Sequence, residues 1–277
     1  MRELIPTQLV CAVDKPMPVA VITGASTGIG REFAHICAAD GYDVVLVARS
    51  EAALRSVALE VERSTGRKSR VVALDLTDPE APARLLLTLA DLLADVEILI
   101  NNAGFGLLGE FAELDALEQV RMVQLNVTAL THLTRLFAPA LIARRKGFVL
   151  NVASTAAFQP GPSMAVYFAT KAYVVSLSSA LHEELRAKGV VVTAFCPGAT
   201  RTAFQARAGI EESKLFAANA MDARPVAEIG YRALKAGRAV VVAGRKNALL
   251  AFLTRFAPRQ LEARMARKVM ENQKRSG

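Results

Sequence analysis

A chain of 277 residues, 52% of them hydrophobic, is long enough to bury the core of one large α/β domain. No uninterrupted apolar run is long enough to span a bilayer as a helix, and three scattered cysteines without a CxxC pair exclude a disulfide framework and suit a reducing, cytoplasmic setting. Nearly all of the net charge of +8 lies in residues 245–277, so the body of the chain is close to neutral and is no nucleic-acid-binding face.

Residues 1–18 carry two acids and three prolines, lack the apolar core of a secretory signal, and read as a loose leader. The run VAVIT (19–23) then begins a series of strand-like segments: DVVLVA (43–48), RVVAL (70–74), EILIN (97–101), GFVLNVA (147–153), VVVTAFC (190–196) and AVVVA (239–243). Continuous Val- and Ile-rich runs mark strands buried on both faces. Amphipathic helical patterns separate them, including Phe33, Ala34, Ile36 and Cys37, and a second stripe through Leu85, Leu86, Leu89, Leu92 and Leu93. The alternation predicts a doubly wound parallel sheet of about seven strands with helices on both faces, as one domain over 19–245 followed by a basic helical extension over 246–277.

In such a sheet ligands bind beyond the carboxyl ends of the strands. The first strand ends in TGASTGIG, residues 23–30. Gly24, Gly28 and Gly30 allow a sharp turn and a close approach to a pyrophosphate. Ser26 and Thr27 offer hydroxyls, and a helix starting near Ile29 aims its free N–H groups at the anion. The second strand ends in Ala48-Arg49-Ser50, where a site for NAD offers a carboxylate to the ribose 2′-hydroxyl. Without the acid, and with the donor fork of Arg49 suited to a 2′-phosphate, the cofactor expected is NADP(H).

YFATK sets Tyr167 and Lys171 four residues apart, on one face of a helix. A neighbouring ammonium favours the phenolate and lowers the pKa of a tyrosine, which then exchanges a proton with a carbonyl or alcohol oxygen. Ser154, at the end of the fifth strand, is placed to hydrogen-bond the same oxygen.

With these segments in hand, the chain resembles the short-chain dehydrogenases/reductases. The resemblance rests on TGASTGIG, NNAG (101–104), Asn126 in VQLNVTAL, Ser154, YFATK and PGATRT (197–202), in family order over residues 18–245. It implies a Rossmann-like fold and hydride transfer between NADP(H) and a carbonyl or alcohol carbon. It makes Tyr167 the general acid/base, Lys171 the ribose ligand that lowers the tyrosine pKa, Ser154 the group that orients the substrate oxygen, and Asn126 the support of a water-linked proton path. Asp75 and Leu76 would meet the adenine. Asn102, Ala103 and Gly104 would line the cofactor, and Pro197, Gly198, Thr200 and Thr202 would flank the nicotinamide. The leader and the basic tail depart from the family pattern.

The stretch 203–225 has the length of a lid, and Phe105, Phe158, Phe204 and Phe216 are candidate pocket walls, which suggests a lipophilic small-molecule substrate. Met164 either touches substrate or packs in the core. His35, His132 and His182 form no metal-ligand motif and read as plain helix residues, Cys37 and Cys196 as core residues, and Glu183 and Glu184 as a solvated face or an oligomer contact. In the tail Leu249, Leu250, Phe252, Leu253 and Phe256, then Leu261, Met265 and Val269, suit packing on the domain or on a sister subunit of a homo-oligomer, with peripheral membrane contact as the alternative. A non-catalytic NADP(H)-binding sensor or scaffold is the other functional reading. It would need the glycine loop and Arg49 but not the Ser154–Tyr167–Lys171 set.

Overall fold

The computed structural model describes residues 17–202, 204, 220–256, 258, 260 and 262–267. Cys11, Phe216, Leu261, Val269 and most of the expected lid and leader lie outside the described residues. Seven parallel strands form the central sheet: β1 (Val19–Thr23), β2 (Asp43–Ala48), β3 (Ser69–Ala73), β4 (Val96–Asn101), β5 (Gly147–Val152), β6 (Val190–Cys196) and β9 (Val240–Val242). Their order is β3-β2-β1-β4-β5-β6-β9, and every adjacent pair is parallel. A two-residue pair, β7 (Thr200–Arg201) with β8 (Met221–Asp222), lies apart from the sheet. The seven runs read from the sequence are the seven strands of this sheet, with ends shifted by a residue at several termini.

The period-two alternation of a strand sends neighbouring side chains to opposite faces. Ala20, Ile22, Val44, Leu46, Ile98 and Ile100 pack on one side with α1 (Gly28–Ala39), α2 (Glu51–Thr65) and α7 (Ala223–Lys235). Val19, Val21, Val45, Val47 and Leu99 pack on the other with α3 (Ala81–Thr88), α4 (Ala116–Val123), α5 (Leu130–Arg144) and α6 (Ala165–Arg186). The leucine stripe expected as one helix is divided. The helix stops at Thr88, and Leu89 to Asp95 continue through turns with three-residue hydrogen bonds that swing the chain into β4. Leu85 and Leu89 are still fully buried.

A chain of buried amides joins the two central strands to the helices behind them. Asn101 Nδ2 donates to Asn151 Oδ1 at 2.9 Å and to Thr134 Oγ1 at 3.0 Å, and Asn151 Nδ2 donates to Ser178 Oγ at 3.0 Å. All four residues are buried, so each bond is made where water is excluded and its loss strands a polar group. Asn151→Ala should therefore destabilise the protein by about 1–3 kcal/mol, read as a lowered urea midpoint with an unchanged slope. An unchanged midpoint would show that this chain carries no stability.

Candidate active site

The carboxyl ends of the parallel strands share one edge of the sheet, and a cleft of about 1510 Å³ opens there. The strand order reverses between β1 and β4, so the loops after these two strands part and leave a crevice. The crevice is closely tied at its base. Asn102 N and Ala103 N both donate to Thr23 Oγ1 at 3.0 Å, and Asn102 Nδ2 donates to the carbonyls of Thr23 at 2.9 Å and Gly24 at 3.1 Å.

Two glycines of the loop adopt left-handed backbone, Gly24 at φ 66° and Gly28 at φ 56°. A Cβ on Gly24 would stand 2.7 Å from Asn102 Nδ2, and one on Gly28 would stand 2.8 Å from Thr202 Cγ2. One on Gly30 would fall on the Gly24 carbonyl and the Asn102 amide. The loop thus folds this tightly only because these positions have no side chain. Thr27, the residue before α1, makes no side-chain capping bond to the helix. The first amides of α1 and its positive end remain directed at the cleft, and the residues fit a dinucleotide's pyrophosphate.

Gly24, Ser26, Thr27, Gly28 and Ile29 line the cleft on this side, and Gly30 lies behind them. Arg49 is exposed at the end of β2, with Asp75 and Leu76 after β3 on the adjoining wall. Burial works against the charge of Asp75. Bonds from the Thr77 amide (3.0 Å) and hydroxyl (2.9 Å), with Arg49 nearby, outweigh it and hold the carboxyl below its ordinary pKa.

Asn102, Ala103, Gly104, Pro197, Gly198, Thr200 and Thr202 line the middle of the cleft, and Ser154, Tyr167 and Lys171 its floor. Lys171 is buried, and its Nζ donates to the Val152 carbonyl at 2.8 Å. The Tyr167 hydroxyl lies beside the Ser154 side chain, which favours its phenolate. Asn126 stands on a π-helical turn (Gln124–Ala129) between α4 and α5. Its Oδ1 accepts from Phe105 N at 3.1 Å, and its Nδ2 donates to Phe105 O at 2.9 Å and Thr170 Oγ1 at 3.2 Å. Asn126 lies behind Gly104, where an added Cβ would be 3.0 Å from Asn126 Oδ1 and 3.5 Å from Lys171 Nζ. The sequence-predicted residues are therefore brought to one cleft, with Gly30 and Asn126 supporting it from behind.

One expectation is corrected. Burial pushes the Tyr167 phenol up to about 12, against the opposing Ser154 side chain. Burial also draws Lys171 down to about 8, slightly opposed by Cys196. The ammonium lies 5.7 Å from the ring centroid of Tyr167 and bonds to a carbonyl instead. Desolvation therefore outweighs the lowering expected from the lysine.

Of the candidate walls, Phe158 and Phe204 line the cleft, whereas Phe105 is buried in the core. The Phe204 ring lies 5.5 Å from that of Tyr167, and Met164 is a wall residue as well as buried. The sequence reading missed Thr23, whose hydroxyl ties the crevice. Leu250 and Met265, expected to pack on the domain or a sister subunit, line the cleft, and the sequence reading missed the wall they share with Asn247 and Ala251 of α8 (Arg245–Leu253), Thr254 just after it, and Glu262 and Ala266. The mixed apolar and polar faces of that segment were the available signal, but they do not say against what the segment packs. Glu183 is exposed and pairs with Arg186 at 3.0 Å. Among the described residues no group of His, Cys, Asp and Glu could hold a metal ion, and no helix is long and apolar enough to cross a membrane.

The model of the short chain dehydrogenase family matches residues 18–213. The chain belongs to that family. It is 36% identical over 187 residues to 17-beta-hydroxysteroid dehydrogenase type 3 of Homo sapiens, covering 66% of this chain and 59% of that protein. It is 39% identical over 178 residues to the very-long-chain 3-oxoacyl-CoA reductase of Phaeosphaeria nodorum, covering 62% and 52%. The chain thus spans between half and three-fifths of the length of these curated relatives. A short-chain dehydrogenase from Sphingobium yanoikuyae, solved with NADPH, is 34% identical with a TM-score of 0.77, covering 86% of this chain and 94% of that one. Other solved neighbours carry NAD or NADH.

Gly30→Ala should displace the Asn102 amide and the Gly24 carbonyl and so spoil the loop. Titrated by NADPH fluorescence, the variant should bind at least about tenfold more weakly, a change of about 1.4 kcal/mol. Binding within twofold of wild type would mean that the loop shape is not needed.

Proposed function

We propose that the protein is an NADP(H)-dependent oxidoreductase that interconverts a carbonyl and an alcohol on a lipophilic small molecule. The observation that carries the reading is the meeting of Ser154, Tyr167 and Lys171 beside a glycine loop shaped for a pyrophosphate, in one cleft. The nicotinamide, when bound, supplies or takes up the hydride. Ser154 holds the substrate oxygen. Tyr167, neutral at physiological pH, gives that oxygen its proton during reduction and takes one back during oxidation. Lys171, mostly charged below its pKa of about 8, holds the ribose hydroxyls and provides the positive charge that eases proton loss from Tyr167. Asn126 positions the Phe105 backbone and Thr170 next to Lys171, which is how we connect it to the proton path. A sensor or scaffold has no need of this acid/base set.

Phe158, Phe204 and Met164 on the cleft wall, and the hydroxysteroid named for the human relative, support a lipophilic substrate. Exposed Leu117 and Val120 on α4 and Tyr173 on α6 support a homo-oligomer and suit a sister subunit. The buried thiols of Cys37 and Cys196 suit a reducing, cytoplasmic compartment. A preference for NADP(H) rests on Arg49 and on Ala48 in place of an acid.

Tyr167→Phe should keep NADPH affinity but lower turnover by roughly two to four orders of magnitude in a screen of ketones and aldehydes followed by NADPH absorbance. In the wild type, reduction should weaken as pH rises through about 8, because Lys171 acts in its protonated form and loses its proton there. A variant within a few-fold of wild type would place the proton donor elsewhere.

Arg49→Ala should weaken NADPH by about ten- to a hundredfold and leave NADH nearly unchanged, the value of one charged hydrogen bond. Ala48→Asp should tilt preference towards NADH. Titration of both cofactors against the three proteins tests this, and equal wild-type affinity for NADH and NADPH would refute it.

A further inference from the structure

The cleft wall contributed by the C-terminal segment holds a carboxyl that the reaction above does not use. Glu262 lies among the helical residues 262–267, its N–H bonded to the Pro258 carbonyl at 3.2 Å, and is only 9% exposed. It lines the same cleft as Ser154 and Tyr167, and its Oε1 is buried with no hydrogen-bond partner among the described residues. It is therefore out of hydrogen-bond reach of the reacting oxygen's partners, Ser154 and Tyr167. This side of the cleft is lined by Met265 and Ala266 beside it in the chain, by Leu250 and Ala251 on α8, and by the polar Arg245, Lys246, Asn247 and Thr254. Helix α8 in turn packs against the turn Thr155–Phe158 that follows Ser154, which sets this wall on the substrate side of the cleft.

A carboxyl oxygen that is buried without a partner is costly, because it has given up its water and gained nothing in return. In a wall that lines a ligand cavity, the missing partner is most simply a donor brought by the ligand. We propose that Glu262 is a specificity-determining residue that accepts a hydrogen bond from a second polar group of the substrate, a hydroxyl or an amino group separate from the reacting carbonyl. This rests on the oxidoreductase reading above for the identity of the reacting end. The substrate class is then a lipophilic ketone or alcohol with one hydrogen-bond donor away from the reacting carbon. A site built this way rejects an analogue that lacks the donor, since its own buried group then stays unpaired.

The test uses a series of methyl ketones of increasing length, each with and without a terminal hydroxyl. Binding is measured by calorimetry to the protein saturated with NADP⁺, in which the carbonyl cannot be reduced, with NADPH absorbance followed to show that the added hydroxyl is not oxidised during the titration; rates of reduction are measured separately with NADPH. Wild type should prefer the hydroxylated ketone by at least about tenfold at one length, where the donor reaches Glu262. Glu262→Leu should abolish that preference and retain or improve binding of the plain ketone. Glu262→Gln, which keeps an acceptor, should retain much of it. NADPH fluorescence titration confirms that the variants are folded, and the wild-type series stands without them. The proposal is overturned if wild type shows no preference at any length, if no ketone binds, or if Glu262→Leu keeps the preference. Ketones that bind with the expected preference but are not reduced would instead overturn the oxidoreductase reading.

Discussion

The threonine hydroxyl at the end of β1 is the contact on which the site depends. Thr23 is buried at the point where the strand order reverses, and it receives the amides of both Asn102 and Ala103. Both are half-buried backbone N–H groups leaving the sheet after β4, and that of Asn102 also reaches the Ile100 carbonyl at 3.1 Å. The same contact holds Asn102 where its side chain reaches back to the carbonyls of Thr23 and Gly24. The position of the glycine loop, the direction of the α1 amides and the width of the crevice all follow from it. The loop glycines are required for a related reason. They let two chain segments stand in contact at the floor of a cleft that must also admit a ligand.

Burial sets the electrostatics at the other half of the cleft. Lys171 is placed in a dry environment with a single carbonyl bond, which weakens its hold on its proton. Tyr167, equally dry, holds its own proton more firmly than a free phenol. These shifts run opposite to the simple picture of an ammonium pulling the tyrosine down. They suit the proton-donor role proposed for Tyr167, in which the phenol would stay neutral until a developing alkoxide accepts the proton. The ammonium would then count at the moment charge appears, where low dielectric makes its field strong.

Much of this was legible in the sequence because the carrying patterns are local. A Val/Ile run identifies a buried strand wherever it lies, and each polar motif follows the strand that positions it. Gly24, Gly28 and Gly30 are read from spacing because the turn itself demands them. Thr23 was not legible, since a threonine at a strand end gives no sign of the amides it will meet some eighty residues later in the chain. Phe105 misled for the converse reason. Its place after NNAG is next to the cofactor loop, but the Asn126 clamp on its backbone turns its ring into the core. The leucine stripe before β4 has helical spacing, yet the need to enter the sheet ends the helix early.

The division of the cleft along the chain separates chemistry from recognition. The glycine loop, Asn102, Ser154, Tyr167 and Lys171 all lie within residues 18–213, the part shared with the family. Met221, Leu250, Thr254, Glu262 and Met265 also line the cleft but lie beyond it. A cleft of about 1510 Å³ is larger than the roughly 300–1,000 Å³ of a single small-ligand site, so it has room for a second molecule beside a cofactor. Part of the cleft wall is built by residues beyond the family-matched segment. A scaffold arranged this way can exchange substrates by changing its last elements while the hydride- and proton-handling groups stay fixed on β1, β4, β5 and α6. The cleft wall is accordingly shared between Phe158, Met164 and Phe204 within the family-matched part and Met221, Leu250, Thr254, Glu262 and Met265 beyond it.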